Sequence, residues 1–290
     1  MHELTEAELS HFQTFGYVVL RQLLGATEVA TIRENVMQTI LGIEPGVAAD
    51  VEAGGSCFAI PGDPLAALIE DQRFLVPAQQ LMMDGGHPIG VNCQPSRYVS
   101  DTEWHSDTAK QVIGQEVLQL VKFIFYCEPV GADTGALRVI PASHLITGAK
   151  RVEFHEAVKA ADPMNVPCEP LPTEPGDVIA FDIRLWHASV GGSVDRRSLS
   201  LGYVRSPSSA AEMAALASSG QQRAERQSAQ SPQHPYPWTY SAAWIAGGGT
   251  GGIRRQWLRE LLAVGYFKVA ENDALCEPGS ILPTRPCSNL

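Results

Sequence analysis

Between Pro88 and Val204 glycine, proline and aspartate cut the chain into short runs of β-forming residues, and this punctuation limits its fold more than any other feature. The runs Ile89–Tyr98, Val117–Cys127, Ala136–Ile140, Asp177–Asp182, Leu185–Val190 and Arg197–Val204 fit a sandwich or barrel better than βαβ units. Pro175-Gly176-Asp177 and the stretch from Gly131 to Gly135 supply chain reversals between them.

The flanking segments read as helix. Thr5 and Glu8 have the spacing of a capping box, in which each side chain satisfies the other's orphan backbone donor, so a helix is expected over Glu6–Phe15. Gly16 can end it in a left-handed conformation, and Tyr17–Leu20 follows as a strand. Further helices are expected from Thr27 to about Leu41, from Asp63-Pro64 towards Leu81, over Ser206–Gln230 and over Arg254–Phe267. His234 to Gly252 is aromatic and then glycine-rich, as in a mobile loop beside a pocket. The expected organisation is one domain over residues 1–290, with a helical part at 1–85, a β core at about 86–206 and helices with a loop at 207–290.

Composition narrows the partners. A formal charge of −11 and no run of Lys or Arg argue against nucleic acid as a partner. No window approaches eighteen consecutive apolar residues, and the polar, acidic start lacks the form of a signal peptide, so no membrane partner and a cytoplasmic location are expected. The six cysteines are dispersed without a CxxC pair and read as mostly buried thiols, with Cys276 and Cys287 exposed.

Of eight histidines, two lie where a metal is chemically reasonable. In Trp104-His105-Ser106-Asp107 an extended backbone puts His105 and Asp107 on one face, an imidazole beside a carboxylate. With His187 they would complete the two-His, one-carboxylate facial set that binds non-haem Fe(II) and leaves the opposite face open. A His-x-Asp triplet alone arises by chance in roughly a third of chains of this composition, so the residues downstream of His187 carry weight. Alternation places Arg196, Ser198 and Ser200 on one face of a strand and Arg197, Leu199 and Leu201 on the other, which suggests a buried arginine able to grip a carboxylate. A one-residue slip would exchange Arg196 for Arg197. His144 reads as structural, His155 and His234 as exposed, and Arg138 as reaching either a substrate carboxylate or a neighbouring acid.

Taken together these stretches resemble the phytanoyl-CoA dioxygenase-like Fe(II)/2-oxoglutarate oxygenases. Leu4-Thr-Glu-Ala-Glu with Phe15-Gly-Tyr-Val-Val-Leu20, Trp104-His-Ser-Asp107, Gly135-Ala-Leu-Arg-Val-Ile-Pro-Ala-Ser-His144, Pro175-Gly-Asp-Val-Ile-Ala-Phe-Asp182, His187 and Arg196 occur in the family's order, with Ala142 where the family usually has glycine. The resemblance covers most of residues 1–205. It implies a mainly β fold, a double-stranded β-helix (jelly-roll or cupin-like) core with flanking α-helices. It also implies that His105, Asp107 and His187 are catalytic and hold Fe(II), that Arg196 and Ser189 bind the distal carboxylate of 2-oxoglutarate, and that Asn92 and Gln94 contact this cosubstrate. Lys122 is the alternative anchor for that carboxylate. Asp107 argues against the related halogenases, which lack the carboxylate ligand.

The implied activity consumes O2 and converts 2-oxoglutarate to succinate and CO2 while oxidising a small molecule. The expected substrate is a natural-product intermediate or modified amino acid, and the outcome is hydroxylation, desaturation or cyclisation. Trp186, Tyr236, Trp238, Tyr240 and Trp244 would line its pocket, with glycines 247–252 moving a lid; the opposing expectation is that these aromatics only pack the last helix on the core. Two other readings stand beside this one: a zinc or manganese hydrolase or isomerase of cupin architecture, and a binding module that has lost catalysis.

Overall fold

Alternation along the central strands sorts their side chains into two faces, and the chain buries both. The computed structural model describes residues 2–41, 56–58, 63–82, 85–107, 118–192, 195–230 and 252–266. Its strands in chain order are β1 (Tyr17–Leu20), β2 (Ser56–Phe58), β3 (Pro88–Tyr98), β4 (Thr102–His105), β5 (Leu120–Tyr126), β6 (Leu137–Val139), β7 (Glu169–Leu171), β8 (Val178–Asp182), β9 (His187–Ser189) and β10 (Arg196–Arg205). They form a six-stranded sheet, β1-β8-β5-β10-β3-β2, and a four-stranded sheet, β4-β9-β6-β7, with antiparallel pairing throughout.

On β5, Val121, Phe123 and Phe125 face away from the smaller sheet and join Leu199, Leu201 and Tyr203 of β10 in the main apolar cluster. The helices α1 (Glu6–Phe15), α2 (Ala26–Leu41), α3 (Asp63–Ala66), α4 (Gln72–Leu81) and α7 (Gly252–Ala263) cover that face. Phe74 of α4 meets Phe123 edge-on at 5.7 Å and stacks on Phe125 at 6.2 Å. A ring so buried contributes about 1.5–3 kcal/mol relative to an exposed one. The opposite face of the six-stranded sheet, with Ile124, Ile179 and Phe181, packs on Leu137, Val139 and Leu171 of the smaller sheet. Outside the smaller sheet, α5 (Gly148–Ala160) lays Phe154 and Val158 over Trp104, Trp186 and Ala188. The remaining helix, α6 (Ala210–Gln230), follows β10.

The expectation of a mainly β chain is corrected: helix outweighs strand among the described residues, although antiparallel sheets do form the centre. Part of the difference is α5, which has no side-chain cap at Thr147 and starts on a glycine, so it lacks a start signal. Another correction concerns the segment opened by Asp63-Pro64. It breaks into α3, a 3-10 turn over Ala67–Glu70 and α4, because the Asp71 carboxylate accepts the Arg73 N–H and caps a fresh helix start. The strand β7 contains Pro170 and survives because it lies at the edge of its sheet, where a missing donor costs no ladder bond. No helix among the described residues is long and apolar enough to cross a membrane.

The turn from α1 into β1 is built as expected. Both halves of the Thr5/Glu8 capping box are present, and Gly16 ends the helix at φ 87°, donating its N–H to the Phe12 carbonyl at 2.7 Å. A Cβ at Gly16 would come within 2.5 Å of His144 Nδ1 and 2.8 Å of Leu185 Cδ1. Gly16→Ala is therefore expected to cost about 2–4 kcal/mol, the sum of left-handed strain and overpacking. An unchanged denaturant midpoint would contradict that account.

Candidate metal centre

Pairing of β4 with β9 sets His105 directly opposite His187. The two imidazoles lie 4.2 Å apart, centroid to centroid. β4 ends at His105, and two residues on the Asp107 N–H donates to the Ile183 carbonyl at 3.2 Å, which turns the carboxylate back towards the histidines. His105 Nε2 and Asp107 Oδ1 are 3.7 Å apart. One donor atom from each of His105, Asp107 and His187 can be chosen so that all lie within 4.8 Å of one another; among the described residues this is the group able to hold a metal ion.

The ring orientations suit that use. His105 Nδ1 lies 2.7 Å from the Glu103 carbonyl and His187 Nδ1 2.9 Å from that of Leu185. A carbonyl only accepts, so each Nδ1 carries a proton, and in the neutral ring it is Nε2 that is left with the lone pair. Burial, and next the neighbouring His105, pull the His187 pKa down to about 3 against the attraction of Asp107. Neutral imidazole at pH 7 is the form a metal binds. Burial also opposes ionisation of Asp107, but Lys122, His187 and His105 outweigh it and hold the carboxyl well below the usual carboxylate range. Lys122 reaches in from β5, with Nζ 3.2 Å from Asp107 Oδ2 and 5.9 Å from the Phe181 ring centroid.

Deeper between the sheets, the registry of β10 with β3 and β5 puts Arg196 opposite Tyr98 and Ser198 opposite Tyr126. The Arg196 guanidinium is buried, 5.3 Å from the Tyr98 centroid and 5.9 Å from that of Tyr126. It donates to the carbonyls of Gly135 and Ser100, while its buried Nε has no hydrogen-bond partner. Burial raises the pKa values of both tyrosines. Ser189 counters part of the effect of burial on the Tyr126 pKa and so borders the same space. The two tyrosines are not among the expected site residues; their signal is their alternation onto the polar face that also carries Arg196.

Asn92 and Gln94 share that face of β3, opposite Gly202 and Ser200, and Asn92 Nδ2 lies 3.4 Å from Ser200 Oγ. Arg197 points the other way, with Nε 2.6 Å from Glu128 Oε1. Lys122 occupies the metal group rather than the Arg196 end. Trp186 departs from expectation: strand alternation turns it out of the sandwich beneath α5, edge-on to Phe154 at 5.9 Å and to His155 at 5.2 Å. It therefore does not line a pocket between the sheets, and His155 is half-buried rather than exposed. Arg138 bonds the carbonyls of Val190 and Ala132 and contacts Cys168 Sγ, which is neither of the two roles expected. His144 is buried in a structural position, with Nε2 3.3 Å from the Gln13 carbonyl. Cys93 and Cys127 are buried free thiols. His234, Tyr236, Trp238, Tyr240, Trp244, glycines 247–251, Cys276 and Cys287 lie outside the described residues.

Fold and site together define a protein with a two-histidine, one-carboxylate group at one end of a sandwich of antiparallel sheets. The chain belongs to the phytanoyl-CoA dioxygenase (PhyH) family, whose model matches residues 12–198. No curated protein sequence matches it. Among solved structures, it resembles the iron-bound HygX of Streptomyces hygroscopicus at TM-score 0.55 and 18% identity, covering 70% of this chain and 88% of that one. The epimerase SnoN of nogalamycin biosynthesis, in complex with Fe3+, alpha-ketoglutarate and nogalamycin RO, aligns at TM-score 0.54 and 19% identity over 69% of this chain and 83% of that one. EctD of S. alaskensis, with 2-oxoglutarate and 5-hydroxyectoine, aligns at 0.53 and 23% over 70% and 77%.

Proposed function

We propose that this chain is an Fe(II)- and 2-oxoglutarate-dependent oxygenase that oxidises a small molecule, hydroxylation being the default outcome and desaturation or ring closure the variants. The observation that carries the reading is the coincidence, within one sandwich, of a His105/Asp107/His187 group and a buried arginine with an unpaired Nε. Both fit what the reaction needs. His105 Nε2, His187 Nε2 and an Asp107 oxygen would hold Fe(II), and an arginine short of an acceptor, flanked by Ser189, would take the distal carboxylate of 2-oxoglutarate. Bound together, metal and cosubstrate would supply O2 activation coupled to decarboxylation of 2-oxoglutarate to succinate.

The chain's own residues then orient and insulate. Tyr98 and Tyr126 stay neutral at pH 7 and shield the guanidinium from water, which strengthens its grip on a carboxylate. Asn92 and Gln94 present amides on the same face. The proposed substrate class, a natural-product intermediate or modified amino acid, is supported by the molecules bound to SnoN and EctD and by the absence of basic runs suited to a polyanion.

Succinate release from 2-oxoglutarate by anaerobically purified protein supplied with Fe(II) and O2 tests this reading. Succinate that requires both Fe(II) and 2-oxoglutarate is expected. No succinate, together with a bound-metal spectrum that 2-oxoglutarate does not alter, would overturn it in favour of a hydrolase or binding module.

A further inference from the structure

One guanidinium is tied to both chain segments that carry the metal group. Arg151 projects from α5, and its Nη2 donates to Ser106 Oγ at 2.9 Å and to the Arg184 carbonyl at 3.3 Å, while Nη1 donates to the Ile146 carbonyl at 3.3 Å. Ser106 is the residue between His105 and Asp107 and is buried. Its hydroxyl donates to the Ile183 carbonyl at 3.2 Å, and that carbonyl also accepts the Asp107 N–H. A hydroxyl has one hydrogen, so with this bond made Ser106 Oγ can only accept from Arg151.

The other end of the network runs to His187. Arg184 is locked on the buried Asp182 carboxylate by its N–H at 2.9 Å, its Nε at 2.8 Å and its Nη2 at 2.5 Å. The Leu185 N–H donates to the Asp182 carbonyl at 2.9 Å, and the Leu185 carbonyl in turn faces His187 Nδ1. Arg151 thus fixes the spacing between the loop that bears two ligands and the turn that aims the third.

We infer that Arg151 is a positioning residue for the metal centre, acting through Ser106 Oγ and the Arg184 carbonyl from outside the sheets. The inference rests on the triad being a metal site and is independent of 2-oxoglutarate chemistry. Outer-shell partners of this kind typically change metal affinity by about 10–100-fold.

The test is titration of the metal-free full chain with Co(II), read by visible absorption. Ser106→Ala and Arg151→Met are each expected to weaken Co(II) binding by about 10–100-fold and to alter the Co(II) spectrum. The double variant loses less than the sum of the two single losses, because both singles already remove the Arg151–Ser106 contact. Arg151→Lys recovers part of the affinity by serving one acceptor. Arg205→Met, which removes a buried guanidinium paired with Glu212 at the far end of β10, lowers the unfolding midpoint and leaves Co(II) affinity intact. Arg151→Met that binds Co(II) with wild-type affinity and spectrum overturns the inference, as do losses that simply add. Should Arg151→Met not fold, Ser106→Ala and Arg151→Lys carry the same comparison. Wild-type chain that binds no Co(II) overturns this inference and the proposed function together, whereas Co(II) binding without succinate formation overturns only the proposed function.

Discussion

His187→Ala is expected to weaken Fe(II) binding by more than about a hundredfold, beyond what loss of an outer-shell partner costs. Fe(II)-dependent succinate release should vanish with it. His187 is buried and neutral, its Nδ1 is committed to the Leu185 carbonyl, and its ring faces His105 across a β4–β9 pair. Alanine leaves the backbone pairing intact while deleting one of the three donors, so unfolding and metal loss separate. His144→Ala is the matched comparison, since it also removes a buried imidazole but one that bridges to the end of α1. That variant should lose stability and keep its Fe(II) affinity. The assignment fails if His187→Ala binds Fe(II) as wild type does, or if both variants lose metal in equal measure.

That contrast is legible in the sequence because each histidine has a readable context. His105 and His187 sit among strand formers with Asp107 two residues from the first, whereas His144 follows a Pro-Ala-Ser turn. Period-two alternation also predicts the polar face of β10, where Arg196, Ser198 and Ser200 turn inward together. What alternation does not supply is the partner across each strand. Tyr98 and Tyr126 become walls of the Arg196 site only through registry with β10, a long-range fact set by two other segments of chain. The same holds for Arg151, whose helix carries no start signal and whose acceptors, Ser106 and Arg184, are distant in sequence. Trp186 misleads for the opposite reason: proximity to His187 suggests the pocket, yet neighbouring residues on a strand point to opposite faces.

Registry likewise decides between the two adjacent arginines, and the difference is large enough to measure. Arg196→Ala is expected to weaken 2-oxoglutarate binding by at least about 30-fold, since truncating one partner of a buried, hydrogen-bonded charge pair costs about 2–5 kcal/mol. Arg197→Ala should leave that affinity unchanged, because its guanidinium lies on the other face of β10, paired with Glu128 and 3.6 Å from Met37 Sδ. Its removal should instead lower stability by only about 0.5–1.5 kcal/mol, because Glu128 keeps its ion pair with Arg33 and the backbone N–H of residue 197. Arg196→Lys separates charge from shape: an ammonium keeps the charge but loses the fork that serves two carbonyls and a carboxylate at once, so most of the affinity should go. Calorimetric titration of the Fe(II)-loaded proteins with 2-oxoglutarate reads all three. A loss confined to Arg197→Ala would mean that β10 is shifted by one residue and that Arg197 meets the cosubstrate, whereas no loss in either alanine variant would leave Lys122 or another cation as the anchor. A loss confined to Arg196→Ala would tie cosubstrate binding to the strand registry that brings Arg196 against Tyr98 and Tyr126 of its two neighbours.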